Sequence, residues 1–262
     1  MFQRKRLAMN RFPLKLCIIA ITIVSAILYC ISARNGSAND GMVTAKTIKV
    51  VMMGDSTTLS AHSAAGHKLT DCVQAGFDRR LSNETWRVTI VNAGKGCDTA
   101  NGAYERLEKD VISQNPDVIT ISFGLNDAGF MNPEWYRKAL EKLINAVRGK
   151  TKAKIMLVTS TPFDNARHGW GTNTKFVAAG GLDEYLDTKI LAETRSLAKT
   201  YSLPLCDLHK EFKNEFAQDP ELIKKMIRPD GVHLTHAGNA LAGKYLVEAI
   251  YSVITSGEQK EK

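Results

Sequence analysis

The sequence predicts an α/β fold in which helices cover both faces of one parallel β-sheet. Five short runs of β-branched and apolar residues read as strands, and segments with helical periodicity lie between them. The strand runs are almost continuously apolar, which is typical of strands that are buried on both faces of a parallel sheet. The chain has 262 residues, which suits one such domain with an additional segment.

The first half of the chain alternates strands with helices. A strand is predicted over 47–53 and a helix over 66–82. A second strand over 86–92 precedes a helix over 99–114. This helix ends before Pro116, because the residue that precedes a proline disfavours the helical backbone.

The second half continues the same alternation. An amphipathic helix over 133–149 begins at Pro133, since proline suits the first helical turn. Thr235 is predicted to cap the last helix. The other strands and helices are predicted at 118–123, 154–159, 182–200, 205–208 and 236–255.

The N-terminal residues 1–38 predict a membrane anchor or a signal peptide. They hold six of the 35 basic residues and none of the 27 acidic ones. The 18 residues from Leu16 to Ala33 are largely apolar, at the lower limit for a spanning helix. Because basic residues precede this stretch, we expect a single-pass protein of the cell membrane whose domain is extracytoplasmic. Cleavage near Ala38 would instead give a secreted or periplasmic protein.

The remainder of the chain is predicted to form one domain. Residues 39–45 are a polar linker, 46–256 the domain and 257–262 a frayed tail. Outside residues 1–38 the net charge falls from +8 to +2, so no basic face for nucleic acid is predicted. The cysteine and histidine spacings match no metal motif, so we predict neither a metal site nor a cofactor. The sequence leaves the oligomeric state open.

Chemically useful side chains follow the predicted strands. Ser56, Gly94 and Asn126 come after the first three strands, and Asp230 and His233 precede the last helix. The carboxyl ends of parallel strands share one edge, so these residues can meet there. Ser56 can attack a carbonyl group, with His233 as the base and Asp230 orienting the imidazole. The backbone amides of Ser56 and Gly94, with the Asn126 side chain, can form an oxyanion hole.

Plainer interpretations stand beside this one. Ser56 taken alone could simply cap a helix. His236 has no acidic residue three positions earlier, so we predict a surface role for it. Asp127 could compete with Asp230 as the acid, but we expect it to brace the turn that holds Asn126. Each motif alone is weak.

Four motifs in order resemble the SGNH/GDSL hydrolase family, the GDSL-like lipases and acylhydrolases that include lysophospholipase L1-like esterases. The resemblance covers about residues 47–255. It implies a three-layer α/β/α sandwich with a five-stranded parallel flavodoxin-like sheet, and ester hydrolysis without a metal. Thr57 stands where many members have leucine. The motifs are Gly54-Asp55-Ser56, Asn92-Ala93-Gly94, Gly124-Leu125-Asn126-Asp127 and Asp230-Gly231-Val232-His233-Leu234.

Two further residues are candidates for substrate contact. Trp170 lies between two glycines in the segment 162–171, which follows the fourth strand and therefore starts at the same sheet edge. Its alternative interpretation is a packed tryptophan in a surface loop. Asp55, beside the proposed nucleophile, is the second candidate.

The sequence therefore predicts a serine esterase that cleaves short-acyl carboxylic esters through an acyl-enzyme. We expect an extracytoplasmic substrate, such as a small acyl ester, an acylated glycan or a lipid, because residues 1–38 precede the domain. Three alternatives remain: an acyltransferase, a lysophospholipase or thioesterase of the same fold, and a catalytically silent carbohydrate-binding module.

Overall fold

A computed structural model describes residues 45–256 of the chain. The predicted anchor or signal segment 1–38, nearly all of the linker and the tail 257–262 lie outside these residues. Among the helices of residues 45–256, none is both long and apolar enough to cross a membrane.

One five-stranded sheet organises the domain, and all neighbouring strands are parallel. Its order is β2-β1-β3-β4-β5, the flavodoxin-like order. The predicted α/β fold with a parallel sheet is therefore confirmed. The strands are β1 Thr47–Gly54, β2 Arg87–Gly94, β3 Val118–Phe123, β4 Lys154–Thr159 and β5 Leu205–Cys206.

Helices follow or connect all of these strands. Several begin at a capped residue: Asn132 accepts a hydrogen bond from the Trp135 amide, and Thr235 accepts one from the Gly238 amide, as predicted for Thr235. The helices are α1 Ser56–Leu59, α2 Leu69–Arg80, α3 Ala100–Asp110, α4 Leu125–Phe130, α5 Pro133–Lys150, α6 Thr174–Val177, α7 Leu182–Tyr185, α8 Leu191–Thr200, α9 Leu208–Gln218, α10 Leu222–Met226 and α11 His236–Thr255.

The alternation of side chains along β1 explains the three layers. Val51 and Met53 point into a core formed with α3, α5 and α8, whereas Val50 and Met52 point into a second core formed with α2, α9 and α11. All four side chains are at most 2% exposed. Since both faces of the sheet are covered, the strands are apolar throughout.

The register brings the strand ends together. Gly54 at the end of β1 pairs with Gly94 of β2 on one side and with Ser122 of β3 on the other. The sheet order reverses at β1, which has β2 and β3 as neighbours. Such a switch point is where open α/β sheets bind their ligands. Ser56 and Asn126 follow the two strands that meet there.

Some element boundaries differ from the prediction. The predicted helix 182–200 contains a π-helical turn at Leu186–Ile190, which a 3.6-residue periodicity does not reveal. The predicted strand 205–208 is wrong beyond Cys206. Asp207 instead accepts a hydrogen bond from the Lys210 amide and caps α9.

Candidate active site

Ser56 begins the short helix α1, directly after β1. The Asp55 carboxylate caps this helix by accepting hydrogen bonds from the Thr57 amide and hydroxyl, each 2.9 Å long. Ser56 itself remains half-buried. Its amide belongs to the first turn, where helical N–H groups have no intrahelical partner. The strand-to-helix turn therefore presents both the Ser56 hydroxyl and its amide at the sheet edge.

Asp230 and His233 lie on a tight loop that its own backbone closes. The Arg228 amide donates to the His233 carbonyl at 2.7 Å, and the Gly231 amide donates to the Arg228 carbonyl at 2.9 Å. Gly231 has a φ of +76°, the left-handed region that favours glycine. A Cβ atom on Gly231 would lie 2.5 Å from the His168 amide nitrogen, so the loop also requires glycine for close packing.

The loop brings His233 between Ser56 and Asp230. His233 Nε2 lies 2.9 Å from Ser56 Oγ, and His233 Nδ1 lies 3.1 Å from Asp230 Oδ2. With the proton of the neutral ring on Nδ1, Nε2 is free to accept the Ser56 hydroxyl hydrogen. Residues that the sequence predicted as nucleophile, base and acid are thus hydrogen-bonded in one line.

Asp230 is held as a carboxylate. Its Oδ1 atom accepts hydrogen bonds from the backbone amides of Val232 at 3.0 Å and His233 at 2.9 Å. Partial burial raises the pKa of Asp230, but these amides and the His233 ring outweigh it and hold the pKa below its usual range. An ionised Asp230 can therefore fix the His233 tautomer and stabilise a protonated ring.

Asn126 lies on the other side of the sheet switch point, in the first turn of α4. Its Nδ2 atom donates to the Asp98 carbonyl at 2.9 Å, which fixes the direction of the amide group. A primary amide has two hydrogens, so the second can be donated to a ligand. Asp127 accepts from the Gly124 and Ala100 amides, each at 3.0 Å, and braces this turn as predicted.

The predicted role of the Gly94 amide as an oxyanion donor is corrected by the structure. This amide donates to Asn92 Oδ1 at 2.9 Å, so the predicted oxyanion donor is already occupied. Packing accounts for the glycine, because a Cβ atom here would lie 2.2 Å from the Leu59 amide nitrogen of α1. The sequence pattern located the correct strand end but could not show that this amide is occupied.

The prediction that Asp55 contacts the substrate is also corrected by the structure. Its side chain is 1% exposed and is directed to Thr57. Burial raises the pKa of Asp55 to about 6. Burial likewise raises the pKa of Asp127 to about 7, and the nearby Asp55 charge adds to the effect. The two acids lie beneath the site and not on its surface.

The other histidines fall into separate groups. His236 is exposed and its Nδ1 lies 2.9 Å from His67 Nδ1, which agrees with the predicted surface role. His62 contacts the catalytic candidate directly, because its ring centroid lies 4.7 Å from that of His233 in an edge-on arrangement. Sequence spacing carries no signal for His62, which is 171 positions away along the chain.

His168 is a site neighbour that the motifs also missed. Its Nδ1 accepts from the Trp170 amide at 3.2 Å, so the neutral ring carries its proton on Nε2. Burial lowers the pKa of His168; the Asp230 charge opposes this and His233 adds to it. The one sequence feature that points to His168 is its position in the segment 162–171, which also contains Trp170.

Trp170 forms an aromatic surface one helical turn from Asn126. Its ring lies against Gly129, where a Cβ atom would be 2.5 Å from the ring. The ring centroids of Phe130 and His168 lie 5.7 and 5.1 Å from that of Trp170. Trp170 is half-buried and Phe130 is 66% exposed, so part of this surface faces solvent.

Within residues 45–256, no group of three or more histidine, cysteine, aspartate or glutamate side chains is arranged to hold a metal ion.

Comparisons with known proteins point to one family. A sequence model of the GDSL-like Lipase/Acylhydrolase family matches residues 52–241. The chain is 30% identical over 177 residues to the uncharacterized lipoprotein YqeF of Bacillus subtilis, covering 59% of this chain and 70% of that one. It is 26% identical over 165 residues to an acetylxylan esterase of Xylanibacter ruminicola, covering 56% of this chain but only 31% of the esterase.

The fold agrees with a solved structure as well. The lipase/acylhydrolase from Enterococcus faecalis superposes with a TM-score of 0.61 at 25% identity, covering 78% of this chain and 95% of that one. The predicted family and the three-layer sandwich that it implies are thus confirmed. The chain belongs to the GDSL-like lipase/acylhydrolase family and is a serine ester hydrolase.

Proposed function

We propose that Ser56 is the nucleophile of this hydrolase, with His233 as general base and Asp230 as the group that orients it. The observation that carries the proposal is the hydrogen-bonded line from Ser56 Oγ through His233 to Asp230, with distances of 2.9 and 3.1 Å. Nucleophile, base and orienting acid are within the reach that such catalysis requires.

The reaction proceeds in two balanced halves. Ser56 Oγ bonds to the ester carbonyl carbon while its proton moves to His233 Nε2. The bond from that carbon to the alkoxy oxygen then breaks, and the His233 proton passes to the departing alcohol. In the second half, water attacks the acyl-enzyme and gives a proton to His233, which returns it to Ser56 as the carboxylic acid leaves.

Two donors are proposed for the oxyanion that forms in each half. They are the Ser56 amide at the start of α1 and the second hydrogen of Asn126 Nδ2. Because Asn126 is fixed by Asp98, its donor needs little reorganisation during the reaction. Gly94 is left out of this set, since its amide is bonded to Asn92.

For the substrate, we propose short-acyl esters, with acetylated glycans as the natural class. The acetylxylan esterase of Xylanibacter ruminicola supports this class as a relative. The aromatic surface at Trp170 supports it chemically, because aromatic rings stack on the apolar faces of sugars. We place this substrate outside the cytoplasm on the basis of residues 1–38, whose sequence favours an anchor or signal segment.

A longer acyl chain is the second candidate. Phe130 and Val177 are 66% and 60% exposed, and Phe130 borders Trp170. Each methylene buried on such a surface stabilises binding by ~0.8 kcal/mol. A lysophospholipase-like or thioesterase-like enzyme would use this gain.

The test is kcat/KM for p-nitrophenyl esters from acetate to palmitate, together with acetate release from acetylated xylan. We expect the highest kcat/KM at acetate or butyrate and measurable release from xylan. A maximum at decanoate or longer would favour the lipid candidate. Addition of acceptor alcohols during turnover tests the acyltransferase alternative, because transfer would yield a new ester in place of acid. No turnover of any ester would favour a silent binding module.

A further inference from the structure

One buried arginine bonds to backbone and side-chain groups on both sides of the candidate site. Arg106 lies on α3, and its side chain is 10% exposed. Its Nε donates to Asp98 Oδ2 at 2.7 Å. Its two terminal nitrogens donate to the Ala93 carbonyl at 2.8 Å, the Gly54 carbonyl at 3.0 Å and the Asp110 carboxylate at 3.2 Å.

Through the Gly54 carbonyl, Arg106 supports the backbone that leads to the nucleophile Ser56. Gly54 is the last residue of β1, two positions before Ser56. Ala93 is the residue before the last of β2 and pairs with Met53 of β1. A planar guanidinium with a fixed fork of donors holds the two carbonyls at a set separation, which a flexible lysine cannot reproduce.

Through Asp98, Arg106 also supports Asn126, the proposed side-chain donor to the oxyanion. The Asp98 side chain is 5% exposed and is paired with Arg106 Nε, while the carbonyl of the same residue accepts the Asn126 amide. Arg106 therefore bonds to the strand end that precedes Ser56 and to the residue that orients Asn126. Ser56 and Asn126 lie on α1 and α4, which follow the different strands β1 and β3, and the Arg106 side chain bonds to groups that support both residues.

We infer that Arg106 is a positioning residue that holds the Ser56 hydroxyl and the Asn126 amide at the separation needed for acyl transfer. The inference rests on the proposed function of Ser56 and Asn126. Reacting groups displaced by about 1 Å can lose ~100-fold in rate, so a side chain that fixes the residues beside Ser56 and Asn126 can control kcat. Arg106 touches no reacting atom, and its effect is expected on kcat more than on KM.

The variants that test this are Arg106→Lys and Arg106→Ala. Arg106→Lys keeps the buried positive charge beside Asp98 but loses the fork to the two carbonyls. We expect kcat for p-nitrophenyl acetate to fall about tenfold or more with KM within about twofold. In Arg106→Ala, millimolar guanidinium is expected to raise kcat, because the free ion can occupy the vacated place and restore the contacts.

Arg137→Met is the matched control. Arg137 lies on α5, is 32% exposed, and bonds to Glu193 at 2.8 Å and to Ser196 at 3.0 Å, outside the site. The kcat of the Arg137→Met variant is expected to equal that of the wild type. Near-UV circular dichroism gives the folded fraction of each variant, and kcat is expressed per folded molecule.

Two results would overturn the inference: folded Arg106→Lys with wild-type kcat, or folded Arg106→Ala that is slow but does not respond to guanidinium. If Arg106→Ala does not fold, kcat of Arg106→Lys alone decides whether the inference holds. Failure of the proposed function is distinguishable, because it would appear first in the wild type as absence of ester turnover.

Discussion

The Nε2 atom of His233 lies 2.9 Å from the Oγ atom of Ser56, although 177 positions separate these residues along the chain. The contact exists because β1 ends inside the sheet, between β2 and β3, and the closed loop before α11 reaches over that edge. The fold thus supplies the alignment that a serine hydrolase needs.

The base should be His233 and not His236. His233→Ala is expected to lower kcat/KM for p-nitrophenyl acetate by about 1,000-fold or more, because Ser56 loses its proton acceptor. His236→Ala should leave kcat/KM close to the wild type, since His236 is exposed and pairs with His67. If His236→Ala proves the more damaging substitution, the base has been assigned incorrectly.

The loop that carries Asp230 and His233 should depend on its glycine. Gly231→Ala places a Cβ atom 2.5 Å from the His168 amide nitrogen at a φ of +76°. We expect it to lower the free energy of unfolding by about 1–3 kcal/mol and to reduce kcat, as measured by urea denaturation and ester assay.

Gly149→Ala is the matched control for this glycine. Gly149 lies near the end of α5, and a Cβ atom there would meet nothing within 4 Å. This substitution should stabilise the protein by about 0.5–1 kcal/mol, because alanine favours the helix. Equal stability of Gly231→Ala and the wild type would contradict the account of the loop.

The aromatic surface should affect glycans more than small esters. Trp170→Ala is expected to lower kcat/KM for acetylated xylo-oligosaccharides about tenfold, a loss of ~1.4 kcal/mol that is within reach of one stacked ring. p-Nitrophenyl acetate is too small to cover the same surface, so its kcat/KM should change little.

Trp135→Ala provides the comparison, because Trp135 is 63% exposed at the first turn of α5. It should alter neither substrate's kcat/KM. A parallel loss on both substrates in Trp170→Ala would show that Trp170 supports the loop and does not contact sugar.

The buried acids should make stability depend on pH. The pKa of Asp127 is raised by burial from 3.8 to about 7. Between these values the folded protein holds a proton that the unfolded chain releases, so stability falls as the pH rises from 4 to about 7. Urea denaturation between pH 5 and pH 8 should show this fall.

Asp127→Asn should flatten that dependence, because the asparagine carries no titrating proton. Asp78→Asn, at an exposed position on α2, should leave the slope unchanged. An unaltered slope in Asp127→Asn would assign the pH dependence to other groups.

Periodicity predicted the main architecture, and the strand-end motifs predicted which side chains lie at one edge of the sheet. Five apolar runs in a parallel sheet must share one carboxyl edge, so Ser56, Asn126 and the Asp230 loop were expected to meet. The same reasoning could not predict which backbone amides are free. Gly94 looked like a donor from its position, but Asn92 accepts its hydrogen.

Contacts that depend on side-chain direction were equally beyond sequence patterns. Asp55 adjoins Ser56 in the chain but turns inward to Thr57. His62 and His168 lie beside the site through tertiary packing, without any motif of their own. In the sequence, Arg106 is one charged residue of an amphipathic helix. Its four hydrogen-bond acceptors are visible only in the structure.

The central claim is that Ser56 is the nucleophile, and covalent labelling tests it most directly. The purified protein is treated with a fluorophosphonate, digested, and sequenced by tandem mass spectrometry, with Ser56→Ala and His233→Ala alongside. We predict one adduct on the Ser56 peptide, none in Ser56→Ala, and a much slower reaction in His233→Ala because the hydroxyl loses its base. An enzyme that hydrolyses esters yet carries its adduct on another residue, or remains labelled in Ser56→Ala, would contradict the account.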